Sequence, residues 1–311
     1  LGNLSAWSAR PGFQAGVGEF GNFGESVGPA GDVNGDGYGD IIVGAPELSD
    51  DGAHPSEGYG FVWYGGPSGG AGGASGLGPN GTGPNADWQV DSDEPAANLG
   101  QSVATAGDVN GDGYDDIIIG ATYYGAINAG AAFVWLGSAG GLLLNAHWVT
   151  AWTQADAKLG FSVASAGDVN ADGYADILIG APTSTNGQGA EGFAFLWLGS
   201  ASGLGPNGTP LNLDWFAESN QALAALGHSV STAGDVNGDG YSDVILGAPN
   251  YDSALANEGA AFIWFGGPDD LGANGSPANA DWTTWGNQAE AHFGTSVAAA
   301  GDVNGDGFAD V

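Results

Sequence analysis

Hydrophobic positions along the chain recur in short runs that alternate with turn-forming residues. One unit shows the pattern: a run of small residues (Ser102 to Val109), an apolar run (Asp116 to Ala121), an aromatic run (Ala131 to Leu136) and a segment around Trp148. Short runs bounded by Gly, Asn, Asp and Ser are typical of β-strands. The pattern predicts an all-β chain whose units contain four short strands, which we name A, B, C and D in chain order.

The same unit recurs along the whole chain. The Trp of segment D lies 11 residues before a Leu-Gly or Phe-Gly pair that begins at Leu99, Leu159, Leu226 or Phe293. Four-stranded antiparallel units of this length are typical of β-propeller blades. We therefore expect one β-propeller domain over residues 1–311. Its units are 16–90, 91–150, 151–217, 218–284 and an incomplete fifth, 285–311, with residues 1–15 as a closing or outer strand.

Side-chain size predicts how each blade is oriented. Strand A carries Ser, Ala, Gly, Val and Thr, whereas strands C and D carry Phe and Trp. Only small side chains fit at the crowded propeller axis, so strand A is expected to be innermost. The Trp residues are expected to pack between neighbouring blades.

An acidic nine-residue loop joins strand A to strand B in all five units. Asp occupies positions 1, 5 and 9, Asn occupies position 3, and the backbone carbonyl of position 7 can add another oxygen. Ca²⁺ prefers such oxygen ligands, and Gly at position 6 permits a sharp turn around the ion. We expect about one Ca²⁺ per repeat and up to five in total. The predicted ligands are Asp32, Asn34, Asp36, Tyr38, Asp40, Asp108, Asn110, Asp112, Tyr114, Asp116, Asp168, Asn170, Asp172, Tyr174, Asp176, Asp235, Asn237, Asp239, Tyr241, Asp243, Asp302, Asn304, Asp306, Phe308 and Asp310.

Two other interpretations of these loops are weaker. An EF-hand needs Glu at position 12, where the complete repeats have Val43, Ile119, Ile179 and Leu246. A plain hairpin turn has no need for Asp at both positions 1 and 9, where like charges repel. The third loop departs from the pattern because Ala171 replaces Gly at position 4. If that position needs a positive φ, the substitution costs about 1 kcal/mol and the third site is the weakest.

Charge restricts the classes of partner. The chain has 36 acidic residues against two basic ones, Arg10 and Lys158, and a formal net charge of −34. Nucleic acids and anionic membranes are bound by clustered Lys and Arg, so neither is an expected partner. The absence of Cys from the sequence excludes disulfides and thiolate metal sites. The lack of sulfur and of trypsin sites favours an extracellular protein, and the composition is typical of bacteria.

The sequence motifs do not indicate an enzyme. His54, His147, His228 and His292 share no metal-type spacing, and the sequence contains no nucleophile elbow or phosphate loop. Many of the Asp residues belong to the acidic loops. We expect no catalytic activity.

The motifs around the loops resemble the FG-GAP repeat of integrin α-subunit β-propellers. Phe23-Gly24 precedes the first loop and Gly44-Ala45-Pro46 follows it, with matching triplets at Gly180 to Pro182 and Gly247 to Pro249. The triplet Gly120 to Thr122 ends in Thr instead of Pro. In the pairs that precede the second, third and fourth loops, Leu replaces Phe. The resemblance implies Ca²⁺ in the A–B loops on one face and ligand contacts on the other. It also implies up to seven blades, but it does not imply integrin function.

Three functions fit these observations. The first is an extracellular or cell-surface, calcium-stabilised recognition or adhesion module that binds a protein or glycan surface ligand. The second is a lectin, for which Trp152 and Trp285 lie outside the repeating Trp positions. The third is a structural subunit of a surface fibre or layer. Asn3, Asn80, Asn207 and Asn274 begin glycosylation-type tripeptides, and three of these lie in turns where Asn-Gly is expected for geometry alone.

The chain ends predict an open ring. The fifth unit supplies strand A, an acidic loop and only Val311 of strand B, while the segment around Trp7 resembles strand D. We expect a longer polypeptide to complete this blade. The alternative is completion by a neighbouring subunit, with self-association through open blade edges.

Overall fold

The computed structural model describes residues 9–10, 21–49, 54–67, 77, 81–150 and 152–311. In these ranges the chain forms four antiparallel sheets of four strands each, as the sequence predicts. A short 3₁₀ helix spans Gly83–Asn85, and the described residues contain no helix able to cross a membrane. The segment around Trp7 lies outside the described residues.

Each sheet is one blade, whose strands A, B, C and D lie side by side in chain order. Blade 1 contains β2 (Val27–Gly31), β3 (Asp40–Ala45), β4 (Tyr59–Trp63) and β6 (Trp88–Asp91). Blade 2 contains β7 (Leu99–Gly107), β8 (Asp116–Ala121), β9 (Ala131–Trp135) and β10 (Trp148–Val149). Blade 3 contains β11 (Ser162–Gly167), β12 (Asp176–Ala181), β13 (Phe193–Trp197) and β15 (Trp215–Glu218). Blade 4 contains β16 (Ser229–Gly234), β17 (Asp243–Ala248), β18 (Ala260–Trp264) and β19 (Trp282–Trp285).

Among the described residues, three short strands lie outside the blades. The strand β1 (Ala9–Arg10) pairs in parallel with β5 (Gly81–Thr82), and β14 (Ala201–Leu204) lies between strands C and D of blade 3. The segment expected to close the ring is therefore described only at β1, which contacts the C–D connection of blade 1.

The A strands contact one another in succession, β2 with β7, β7 with β11 and β11 with β16. Their small side chains allow this approach, so the prediction that strand A is innermost is confirmed. Each A–B pair has a bulge just before the acidic loop, at a fully buried Ala. A bulge bends its strand and redirects the chain, which here leads it into the loop.

Tryptophan pairs hold neighbouring blades together, as the sequence predicts. The strand D ring of one blade meets the strand C ring of the next edge-on, with Trp148 and Trp197 centred 5.3 Å apart and Trp215 and Trp264 5.6 Å apart. The indole N–H of Trp215 also donates a hydrogen bond of 3.0 Å to the carbonyl of Ala273 in blade 4. The strand D ring of each pair therefore contributes both apolar burial and a satisfied donor to the interface.

Replacing Trp215 should be far more costly than replacing its equivalent in blade 4, Trp282. Trp215 is 1% exposed and Trp282 is 43% exposed. We expect Trp215→Ala to lower the free energy of unfolding of the 311-residue chain by about 3–5 kcal/mol, because it opens a cavity between blades. Trp282→Ala is the matched control and should cost much less. Urea unfolding followed by circular dichroism measures both, and equal losses would contradict this account of the interface.

Candidate metal centres in the A–B loops

The acidic loops all lie at one edge of the blades. They connect strand A to strand B at residues 32–40, 108–116, 168–176 and 235–243, and a fifth loop at 302–310 is closed by a bridge between Gly301 and Asp310. Because successive strands are antiparallel, the A–B and C–D connections share this edge. The B–C and D–A connections lie at the opposite edge.

Backbone N–H groups fix the side-chain oxygens inside each loop. In the second loop Asp108 accepts hydrogen bonds from the N–H of Asp112 (3.1 Å) and of Gly113 (2.8 Å). Asn110 Oδ1 accepts from the N–H of Asp112 (2.9 Å), and Asp112 Oδ1 accepts from that of Tyr114 (3.1 Å). All five loops repeat these four bonds. The sequence pattern therefore specifies one loop conformation.

The Asp at position 9 is buried and connects its loop to the sheet. Asp116 is fully buried, its Oδ2 accepts the N–H of Val109 (2.9 Å), and its Oδ1 accepts the N–H of Gly137, just after strand C (2.8 Å). The same two bonds are made in the other three blades by Asp40, Asp176 and Asp243. This residue thus joins the loop, strand B and the end of strand C.

Burial also changes the acidity of this residue. Removal from water raises the pKa of Asp116 and of Asp176 to about 7, and that of Asp243 to about 6, although the backbone N–H bonds oppose the rise. The neighbouring carboxylates at positions 1 and 5 raise the pKa further. A nearby cation would favour the ionised form of all three groups.

The donor set of each loop suits a hard cation, because its side-chain ligands are carboxylate and amide oxygens. The carboxylates at positions 1, 5 and 9 of a loop do not all approach within 4.8 Å of one another in the structure. Among the described residues, the group that meets this distance is His54, Glu57 and Asp93 in blade 1. The sequence does not indicate this cluster, because Asp93 lies on the D–A connection and only the fold joins it to His54 and Glu57.

Successive loops are bonded to each other. The N–H at position 8 of each loop donates to the carbonyl at position 1 of the preceding loop, for example from Ala175 to Asp108 at 3.0 Å and from Ser242 to Asp168 at 2.9 Å. Equivalent bonds join the first loop to the second and the fourth to the fifth. The five loops therefore form one connected row, a feature that the sequence alone did not indicate.

The aromatic residue at position 7 has a packing role as well. A Cβ on Gly111, at position 4 of the second loop, would lie 2.6 Å from the ring of Tyr174 in the third loop. The same close approach joins Gly35 to Tyr114 and Gly238 to Phe308. Position 4 therefore needs Gly both for its positive φ and for the neighbouring ring. Ala171 occupies this position in the third loop with φ 56°, so the expected strain is present.

Ala171→Gly should stabilise the protein by about 1 kcal/mol, because Gly adopts a positive φ without steric cost. The matched control is Gly111→Ala, which introduces the same strain together with a contact to Tyr174 and should destabilise by at least as much. Thermal unfolding of both variants in chelator isolates the effect from metal binding. A destabilised Ala171→Gly variant would contradict this account.

Without metal, stability should fall as pH rises from about 4 to about 7. The buried Asp residues have a higher pKa in the folded protein than the ordinary 3.8, so the folded state binds more protons across this range. The melting temperature in chelator should be lower at pH 8 than at pH 5.5. Asp176→Asn should reduce this difference, whereas the same change at the exposed Asp269 should not. An unchanged or rising melting temperature between pH 5.5 and pH 8 would refute the prediction.

The four-stranded blades, each with an acidic A–B loop that is hydrogen-bonded to the next, define a repeat protein of the β-propeller class. The FG-GAP repeat family matches this chain at residues 23–63, 99–136, 159–194 and 226–264. Each match begins at the Phe-Gly or Leu-Gly pair and includes one acidic loop. The chain belongs to the integrin-like FG-GAP repeat family.

Curated relatives agree with this assignment. Integrin alpha-5 of Xenopus laevis is 31% identical over 192 residues, which cover 59% of this chain and 18% of that protein. Integrin alpha-V of Gallus gallus is 31% identical over 190 residues, covering 57% and 17%. Integrin alpha-IIb of Mus musculus is 32% identical over 164 residues, covering 50% and 15%. The chain thus spans less than a fifth of the length of these relatives.

Proposed function

We propose that this chain is a calcium-stabilised, non-catalytic recognition module that acts outside the cell or at its surface. The observation that carries the proposal is the row of five oxygen-rich loops, which share the same four internal hydrogen bonds, in a chain with a net charge of −34. Similarity to integrin alpha chains supports recognition or adhesion as the role of the blades.

In this proposal each Ca²⁺ is held by the side chains at positions 1, 3, 5 and 9 and the carbonyl at position 7. The ion supplies positive charge to three carboxylates that repel one another. Mg²⁺ is a poorer candidate because it retains its water ligands and rarely accepts a cage made only of protein groups. The position 9 Asp would connect each ion site to strand B, on which it lies, and to the end of strand C, to which it is hydrogen-bonded. The N–H of position 8 would connect the site to the preceding loop.

The partner surface in this proposal is the opposite edge of the blades, made by the B–C and D–A connections. Loops held by a rigid scaffold are the usual location of binding residues. The acidity of the chain favours a partner with a basic surface. A lectin or a fibre subunit remains the alternative. Each function has its own test. Retention on immobilised basic proteins tests the recognition module, a glycan array tests the lectin, and analytical sedimentation tests the fibre subunit.

Calcium should raise stability through the loops. A ligand that binds only the folded state at 100 times its dissociation constant adds about 2.7 kcal/mol per independent site. Excess chelator should lower the melting temperature sharply, and Mg²⁺ should restore it poorly. Calorimetric titration of the metal-free protein should give up to five Ca²⁺ per chain.

Asp172→Asn should reduce this number by one and lower the calcium-dependent rise in melting temperature. Asp269→Asn is the matched control, because it removes the same charge from an exposed residue outside the loops and should leave the number unchanged. A melting curve that chelator does not alter would rule out calcium stabilisation.

A further inference from the structure

Blade 3 contains a surface pocket that the acidic loops do not explain. It has a volume of about 230 Å³, and its aromatic walls are Trp152, Phe193, Phe195 and Phe216. Trp152 comes from the D–A connection that precedes the blade, and its ring lies 4.3 Å from that of Phe195, between centroids. Ligand pockets are usually apolar with a few polar groups, and this volume suits a ligand with a single ring.

The internal repeat shows why this pocket is open. Ser184 lies three residues after the last residue of strand B, a position held by Leu48, Tyr124 and Tyr251 in the other blades. In blades 2 and 4 the Tyr ring packs edge-on against the strand C Phe, with centroids 5.2 and 5.3 Å apart. Blade 3 has a hydroxymethyl group at the place where its neighbours have a phenol ring.

Phe193 does not replace the missing ring. It stacks beside Phe195 at 5.6 Å, as Tyr59 stacks beside Phe61 at 5.6 Å in blade 1. Blade 1 nevertheless also contains Leu48, which is 1% exposed, at the position of Ser184. The combination in blade 3 therefore leaves space that blade 1 fills.

The polar groups of the pocket select the chemistry of the ligand. Ser184 is 3% exposed, and within the described part of the chain its Oγ has no hydrogen-bond partner. Gln154, by contrast, donates to the carbonyl of Thr185 and accepts its N–H, both at 2.7 Å. The Nδ2 of Asn186 donates to Glu218 at 2.9 Å. One uncommitted hydroxyl matches a ligand with one hydroxyl, whereas a sugar ring would bury several without partners.

We propose that this pocket binds the side chain of a tyrosine from a partner protein, with the phenol ring among the aromatic walls and its hydroxyl bonded to Ser184 Oγ. Buried aromatic anchors of this kind dominate many protein interfaces. Exposed Thr185 and Asn186 form the rim, and the acidic Glu218 beside Asn186 favours basic residues next to the tyrosine. The inference rests on the proposed recognition function, for which it names one contact.

Small probes test the pocket without the partner. Calorimetry and ligand-observed NMR should show N-acetyl-tyrosinamide binding with a dissociation constant on the order of millimolar. N-acetyl-phenylalaninamide should bind about fivefold more weakly, because it leaves the Ser184 hydroxyl unpaired. Methyl glucoside should bind more weakly than both. A glucoside that binds as tightly as the tyrosine probe would overturn the assignment in favour of a sugar site.

Two variants locate the binding. Ser184→Leu fills the pocket with the side chain that blade 1 uses and should weaken the tyrosine probe at least about tenfold. Ser184→Ala keeps the pocket open and should abolish the preference for tyrosine over phenylalanine. Ser202→Leu, at an exposed position in β14, is the control and should change neither. Unchanged probe binding by Ser184→Leu, or an unchanged preference in Ser184→Ala, would refute the proposal.

Failure of the pocket and failure of the recognition function give different results. If a retained protein partner binds Ser184→Leu as well as it binds the original chain, the pocket is not the contact, although recognition stands. If the probes bind as expected but basic proteins are not retained, the pocket is real and the proposed recognition function fails.

Discussion

The blades depend on the two hydrogen bonds that the buried aspartate at position 9 accepts. One of its oxygens holds the start of the acidic loop, and the other holds the glycine at which the chain leaves strand C. A single side chain thereby sets where the A–B hairpin closes and where strand C ends. No hydrophobic residue could replace it, because the two N–H groups it satisfies would be left unpaired inside the protein.

This arrangement places a carboxylate in a buried position, where water screens its negative charge least. Each buried carboxylate lies near two others on the same loop, and the chain has only two basic residues in 311. Protonation and cation binding are the two ways to relieve this repulsion. The bonds between successive loops also join the backbone of each loop to that of the preceding one. The stability of each loop therefore depends on the loop beside it as well as on its own residues.

The fold could be predicted from sequence because the same structural unit is repeated several times along the chain. Repetition separates the constant spacing of rigid strands from the variable length of turns, and the contrast between small residues in strand A and Trp in strand D identifies the inner edge. The strand boundaries follow closely, with strand B of blade 2 observed at Asp116–Ala121 as predicted. For the loops, the sequence indicates which residues carry oxygen. It does not indicate that position 9 also joins the loop to strand C, or that position 7 packs on the previous loop.

What the sequence could not indicate depends on residues that are distant in the chain. The meeting of His54 and Glu57 with Asp93 requires the B–C connection of blade 1 to lie against the D–A connection that follows the blade. The meeting of Ser184 with Trp152 requires the B–C connection of blade 3 to lie against the D–A connection that precedes the blade. Trp152 illustrates the limit, because its place outside the repeat suggested an exposed surface for sugars, whereas the structure packs it against Phe195.

Repetition also explains how one blade can acquire a site that the others lack. The interactions that define a blade, namely the position 9 bonds, the bulge and the interblade Trp pair, lie in the strands and at the edge that carries the acidic loops. Ser184 lies on a B–C connection at the opposite edge. The equivalent position is Leu, Tyr or Ser in the four blades, and all four keep the same sheet. Ser184, in place of the larger side chain of the other blades, leaves a pocket between aromatic side chains of the sheet. A recognition surface can thus arise from a single position without disturbing the scaffold on which it depends.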